Sequence, residues 1–366
     1  MKKRLVYISN IATPYQIKLC YALQNYFDSE FWFHEHVFKD RPEWWKIDLG
    51  PKCKILKYVL KRNGRYISLD IIGELRRFAP DIVMLIGFTL PSNYIAYRWA
   101  KKNNKKTIIF TESFRRRGRF QERKTLKSRL LENIYKNVNA VFTCHEDATD
   151  QLKLLFDKLG QKVLTAQYPS DIDEYFKHPL REEKSAYTYL FPNRLIDIYN
   201  PLLAIDIFSE VNRRYPNSKL LMNTMGELFD QCKLRTESLG LTENVVFLNQ
   251  IKSWDELHLV YKESDILLFP ANFSNGNFTI VEAMASGMGI VISNKILWNS
   301  KIINNGVNGY VCEVKKEDFL AAVQNYIANP KLLKNHAIIN REKVKPLTIA
   351  STAKLFFNLI STNQHL

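Results

Sequence analysis

Short apolar runs and longer amphipathic stretches alternate along almost the whole chain. Runs at 5–8, 31–33, 55–59, 81–86, 107–110, 140–143 and 162–165 are apolar at consecutive positions, as in strands covered on both faces. Between them, 15–26, 68–78, 93–102 and two stretches within 126–159 carry apolar residues at helical spacing. The rhythm breaks over 169–184, where proline and charge replace periodicity. It then restarts with strands at 187–191, 219–222, 245–247, 265–270 and 290–292. Helical stretches at 201–215, 228–239, 254–262 and 278–285 lie between them, with two more at 318–327 and 349–360. Such alternation predicts an α/β protein built on parallel sheets with helices on both faces.

The break divides the pattern in two. The expected organisation is a first Rossmann-like domain over 1–168, a linker over 169–184 and a second Rossmann-like domain over 185–340. Residues 341–366 are expected to form a C-terminal helix packing back towards the first domain. Ligands of such sheets bind at the carboxyl ends of the strands, which would face a cleft. The stretch 265–293 is the most informative. An apolar strand closed by Pro270 leads through a polar loop to a helix beginning near Phe278, and Gly287 ends that helix. Unpaired N–H groups and the helix dipole at such a start favour phosphate.

Composition narrows the class. Of 366 residues 46% are hydrophobic, which suits a globular protein with two cores. No apolar run reaches the roughly 18 residues of a membrane-spanning helix. The five cysteines are widely spaced and read as reduced core residues of a cytosolic protein, with no metal site expected. The formal net charge is +16, of which residues 1–180 carry +14 (33 Lys and Arg against 19 Asp and Glu). A first half so basic suggests a polyanionic partner. Its densest segment holds Arg115, Arg116, Arg117, Arg119 and Lys124 around one aromatic, Phe120. A solvated face and nucleic acid remain alternatives. An anionic membrane surface is preferred, because Lys and Arg gain about 1 kcal/mol each near anionic lipid and no nucleic-acid-reading motif accompanies them.

The order Asn193-Arg-Leu195, Asn200-Pro-Leu-Leu-Ala204, Lys219-Leu-Leu-Met222, Leu239-Gly-Leu241, Tyr261-Lys-Glu-Ser-Asp-Ile-Leu-Leu-Phe-Pro270 and Val281-Glu-Ala-Met-Ala-Ser-Gly287 resembles the GT-B retaining glycosyltransferases of family 4. Ser9-Asn-Ile-Ala-Thr-Pro-Tyr15 looks like the opening loop of members that build bacterial surface polysaccharides such as lipopolysaccharide and capsule. The resemblance implies transfer of a sugar from a nucleoside diphosphate to a lipid-linked or saccharide acceptor, with retention and without metal, at the inner face of the cell membrane. Arg194 and Tyr199 would lie near the diphosphate. Ser274 would lie at the donor, Gly276, Asn277, Phe278 and Thr279 would present backbone N–H groups to its sugar and phosphate, and Glu282 would take its ribose hydroxyls. Asn10, Thr13, Pro14 and Tyr15 would face the acceptor, with Glu112 and His145 as candidate catalytic residues.

Each has a plainer alternative. Arg194 could pair with Asp197, Glu282 could complement the helix dipole, and the Gly276–Thr279 turn could be an ordinary capped start. His145 could be a structural residue at a strand end. Asp171-Ile-Asp173 reads as coincidence rather than a metal motif. Two departures from the family pattern stand out. Ser274 occupies the place of a glutamate, and Tyr199 that of a lysine; Lys252 or Lys295 could replace the missing cation. These leave open a nucleotide-sugar epimerase of the same fold, or a nucleotide-sugar-binding protein with weak catalysis.

Overall fold

The computed structural model describes residues 1–37, 41–57, 60–62, 65–87, 91–112, 126–156, 159, 162–249 and 251–363. The chain forms two units, Met1–Asp171 with Leu347–Leu366, and Ile172–Pro346. Unit 1 runs β1 (Arg4–Ile11), α1 (Pro14–Leu23), β2 (Asp28–Glu35), β3 (Cys53–Ile55), β4 (Leu60–Arg62), β5 (Arg65–Ile67), α2 (Ile71–Phe78), β6 (Ile82–Ile86), α3 (Pro91–Lys102), β7 (Lys106–Thr111), α4 (Leu126–Asn137), β8 (Ala140–Thr143), α5 (Glu146–Leu155) and β9 (Val163–Thr165). Unit 2 follows with β10 (Thr188–Phe191), α6 (Pro201–Arg214), β11 (Lys219–Asn223), α7 (Phe229–Ser238), β12 (Val245–Leu248), α8 (Leu257–Lys262), β13 (Ile266–Phe269), α9 (Phe278–Ser286), β14 (Gly289–Ser293), α10 (Asn299–Ile302), β15 (Tyr310–Cys312), α11 (Lys316–Ala328) and α12 (Lys331–Val344). Helix α13 (Ile349–Thr362) belongs again to unit 1.

Unit 1 holds a seven-stranded parallel sheet in the order β3-β2-β1-β6-β7-β8-β9. Side-chain alternation splits its apolar strands into two cores. Leu5, Tyr7, Phe31, Phe33, Met84, Phe110 and Phe142 pack with α1 and α13, while Val6, Ile8, Trp32, Val83, Leu85, Ile109 and Val141 pack with α2, α3, α4 and α5. The Tyr7 and Phe31 rings stack at 4.0 Å across β1 and β2. Phe356 of α13 lies 5.9 Å from the Phe110 ring and 5.6 Å from that of Phe142, so the last helix completes the first unit's core. A separate antiparallel hairpin pairs β4 with β5.

Unit 2 holds a six-stranded parallel sheet in the order β12-β11-β10-β13-β14-β15. Counted within each sheet, both orders start 3-2-1-4-5-6, the doubly wound order whose direction reverses between strands 1 and 4. The reversal falls between β1 and β6 in unit 1 and between β10 and β13 in unit 2. Gly289 opens β14 where a Cβ would stand 2.6 Å from Leu333 Cδ2 and 3.1 Å from the Tyr326 ring, so only glycine admits this approach of α11 and α12.

Three expectations change here. Residues 169–184 are not a loose linker, because unit 2 begins at Ile172 and buries Arg181. The Arg181 guanidinium donates to the carbonyls of Pro179 (2.8 Å), Ser264 (2.8 Å), Tyr261 (2.5 Å) and Ser286 (3.0 Å). The second unit also runs beyond 340, because α12 extends to Val344. That helix escaped the apolar pattern because its buried face includes His336 and Asn340. Both are satisfied there, His336 against the Tyr326 hydroxyl at 2.9 Å and Asn340 against the Asn308 side chain at 2.7 Å. Finally, the strand expected at 55–59 is centred earlier, at Cys53–Ile55.

Candidate functional site

In unit 2 the loops after β10 and β13 flank the sheet's point of reversal. A ring of side chains ties them together. Asn277 Nδ2 donates to Asn193 Oδ1 at 2.8 Å, and Asn193 Nδ2 donates to Thr279 Oγ1 at 3.1 Å. Asn277 is the N-cap of α9, its Oδ1 accepting from Thr279 N at 3.0 Å and Thr279 Oγ1 at 2.7 Å. Arg194, half-buried, directly follows Asn193. Tyr199 sits in a short turn whose Ile198 carbonyl accepts from Asn272 N at 2.9 Å, and its ring lies 5.5 Å from that of Phe269.

The expectation that all four residues 276–279 offer backbone N–H groups outward needs correcting. Thr279 N–H serves the cap, and Gly276 N–H donates to Ser274 Oγ at 3.3 Å. Ser274 Oγ also donates to the Gly276 carbonyl at 3.0 Å, and the Ser274 backbone bridges to Lys295 and Leu297. Ser274 therefore spends its side chain shaping the loop. Lys295 pairs with Glu313 at 4.0 Å.

Glu282 lies one turn into α9 and is 7% exposed. Its Oε2 accepts from the Tyr261 hydroxyl at 2.5 Å. Tyr261, on α8, is fully buried. Burial first, and the neighbouring Glu282 carboxylate second, push its phenol well above the usual range.

In unit 1, Thr13 and Pro14 are buried where β1 hands over to α1, with proline at the first helical position. Asn10 turns its Oδ1 back onto Ile11 N at 2.9 Å. The Tyr15 ring meets Tyr168 edge-on at 6.0 Å, and Tyr168 meets Phe110 at 5.1 Å. The Tyr168 hydroxyl donates to Glu112 Oε1 at 3.2 Å. The ends of β1, β7 and β9 thus gather two phenols and a carboxyl. Glu112 retains accessible surface, yet crowding by protein atoms raises its carboxyl, against the lowering effect of the Tyr168 bond. Burial pushes the Tyr15 phenol up to about 12. His145 is 6% exposed and caps α5, its Nδ1 accepting from Ala148 N at 3.2 Å. That cap fixes the ring at the end of β8.

Other expectations are placed as follows. Arg115, Arg116, Arg117, Arg119 and Lys124 lie outside the described residues. Asp171 receives Lys18 at 2.7 Å in an ion pair of unit 1. Among the described residues no group of three His, Cys, Asp or Glu side chains could hold a metal ion, and all five cysteines are buried and unpaired by disulfides. No described helix is long and apolar enough to cross a membrane.

Residues 173–343 match the family model of glycosyl transferases group 1, a range that nearly coincides with unit 2. Unit 2 is therefore similar to the group 1 glycosyl transferases over nearly its whole length. Among curated relatives, the poly(glycerol-phosphate) alpha-glucosyltransferase of Bacillus subtilis is 24% identical over 178 residues, 48% of this chain and 26% of the relative. The mannosylfructose-phosphate synthase of Agrobacterium fabrum is 31% identical over 99 residues, 25% of this chain and 22% of the relative. The matched stretches thus span about a quarter of these relatives' own length. Whole-chain likeness comes from solved structures. Anabaena HepE in complex with UDP superposes with a TM-score of 0.75 at 12% identity, covering 99% of this chain and 100% of that one. The lipopolysaccharide outer core galactosyltransferase WaaB, in its apo form, gives 0.67 at 17% identity, covering 98% and 99%. These identities establish the fold alone, which is the two-domain GT-B fold of glycosyltransferases.

Sequence reasoning singled out Arg194, Glu282 and the start of α9 as candidates, but gave no part to Tyr168, Arg181 or Tyr261, nor a separate one to Asn193. Tyr261 stands 21 positions before Glu282, and no helical or strand spacing links the two.

Proposed function

We propose that this protein is a group 1 glycosyl transferase that moves a sugar, with retention, from a nucleoside diphosphate on unit 2 to a saccharide or lipid-linked acceptor on unit 1. One observation carries the reading. The capped start of α9 stands at the switch point of a doubly wound sheet, and a buried carboxylate, Glu282, lies one turn along the same helix. A helix start favours a diphosphate. A buried carboxylate held by a hydroxyl donor, Tyr261, has acceptor capacity suited to a ligand that brings further hydroxyl donors. Arg194 adds a planar cation for the leaving diphosphate, so the reading requires no metal. On unit 1, Glu112 with Tyr168 and Tyr15 offers a carboxyl and aromatic faces suited to a sugar hydroxyl and ring.

The basic segment from Arg115 to Lys124 supports an acceptor presented on an anionic membrane surface at the cytoplasmic side. Mass spectrometry of the full chain with a panel of nucleotide sugars and saccharide acceptors tests the reading. Transfer with the donor's anomeric configuration kept is expected. Inversion would remove the retaining mechanism, and release of an epimerised donor would replace the transferase reading. Loss of co-sedimentation with anionic vesicles in an Arg115→Glu, Arg117→Glu variant is expected; unchanged sedimentation would remove the membrane component.

A further inference from the structure

Glu282 does not stand alone in its buried position. The Tyr261 hydroxyl reaches its Oε2 at 2.5 Å, from a ring that is itself fully buried. The Tyr261 backbone is clasped from the other side. Its carbonyl accepts from Arg181 Nη2 at 2.5 Å and from Ser286 Oγ at 3.2 Å. Ser286 Oγ takes a further bond from Arg181 Nη2 at 3.0 Å. The ring is braced edge-on by Tyr175 at 5.2 Å. Three elements therefore converge on this residue of α8: Glu282 of α9 and Tyr175 of the segment 172–178 on its side chain, and Arg181 with Ser286 on its backbone carbonyl.

A phenylalanine would fill the same space, and a methionine in place of Glu282 would pack more cheaply. Spending a buried hydroxyl on a buried carboxylate makes sense when the carboxylate must stay ionised and hold one orientation. We propose that Tyr261 is a positioning residue that fixes the Glu282 carboxylate for the hydroxyls of a donor ribose, with the Arg181–Ser286 clasp setting the phenol's height. This inference rests on the reading of unit 2 as a nucleoside-diphosphate site. In that site Glu282 touches the ligand and Tyr261 acts through it.

The test is calorimetry of the full chain with UDP, ADP and GDP and with their 2′,3′-dideoxy counterparts. The wild type is expected to favour at least one ribonucleotide over its dideoxy form. Tyr261→Phe should weaken that ribonucleotide by about tenfold, the size of one charge-assisted hydrogen bond, and leave the dideoxy form within about twofold. Equal weakening of both forms, or none, overturns the positioning role while the donor reading stands. Failure of the wild type to bind any of the six overturns both. If Tyr261→Phe does not fold, 3-fluorotyrosine at position 261 preserves the hydroxyl. Its fluorine resonance should then move with the ribonucleotide and not with the dideoxy form; identical responses overturn the proposal.

Discussion

The imidazoles of His178 and His258 stack with centroids 5.2 Å apart, and His178 Nε2 lies 2.9 Å from His258 Nδ1. His178 Nδ1 in turn lies 2.8 Å from Ser286 Oγ. If the serine proton serves the Tyr261 carbonyl, His178 carries its proton on Nδ1 and accepts from His258 Nδ1–H. That chain requires a neutral His178, whose Nε2 must keep a free lone pair. Burial, then His258, and then Arg181, Arg341 and Lys262 hold His178 down at about 4, against an ordinary 6.5.

A pH dependence of stability follows. The unfolded chain takes up the His178 proton as pH falls below about 6.5, while the folded chain resists until about 4. The contribution is complete above 6.5 and is lost as pH falls towards 4. Melting temperatures of wild type and His178→Gln should differ at pH 7.5 by the equivalent of about 1 kcal/mol in favour of the wild type. As pH falls the gap should close and then reverse, because a shift from 6.5 to about 4 outweighs it, leaving His178→Gln the more stable protein at pH 4.5. A constant gap would mean that His178 does not titrate differently in the two states.

The Glu112–Tyr168 bond makes a second pH prediction, this time for the rate. The bond stabilises the carboxylate while crowding by protein atoms opposes it, so the net value lies above the usual 4.5. If ionised Glu112 assists the acceptor hydroxyl, kcat/KM should fall as pH drops through that raised value. Tyr168→Phe removes the lowering effect and should move this acid limb to higher pH. Glu112→Gln should abolish the limb and lower kcat by about 10² or more, the usual share of a general base. A pH–rate profile for the three proteins decides the matter, and an unmoved limb in Tyr168→Phe would exclude Glu112 as its source.

Much of the fold could be read from the chain because its strands are covered on both faces. Leu5 to Ile8 and Ile266 to Phe269 are apolar at every position, a pattern that few other elements produce. Glu282 was singled out another way, through the resemblance of Val281-Glu-Ala-Met-Ala-Ser-Gly287 to a family pattern. What escaped was polar and long-range. Asn340 and His336 lie on a buried helix face and so erase its periodicity. Arg181 looked like linker charge, although it cross-ties segments 80 and more positions away. Tyr168 looked like the edge of that same linker.

Ser274 offers a direct test of one departure from the family pattern. Its hydroxyl both donates to and accepts from Gly276, and the residue is 7% exposed. Restoring a glutamate by Ser274→Glu should break this turn and bury a carboxylate. The expected cost is about 1–3 kcal/mol of stability, with weaker rather than stronger donor binding. Thermal melts and donor KM values measure both effects. A gain in kcat would show that the loop can re-form around an acidic side chain.

Arg194 is the site cation on which the proposed chemistry depends most. It follows Asn193, whose amide is locked to Asn277 and Thr279, so the guanidinium starts from a fixed point beside the start of α9. A planar fork can meet two diphosphate oxygens at once, and an ammonium cannot. Arg194→Ala should raise the donor KM by about 10- to 100-fold, the equivalent of a lost charge-assisted bond. Arg194→Lys should recover only part of that loss, and neither change should move the melting temperature appreciably, because the side chain is half-exposed. The same assay run with a chelator separates the two sources of positive charge. If Arg194 and the helix start neutralise the leaving diphosphate, wild-type turnover survives chelation, whereas a metal-dependent transfer would stop and leave Arg194→Ala little further to lose.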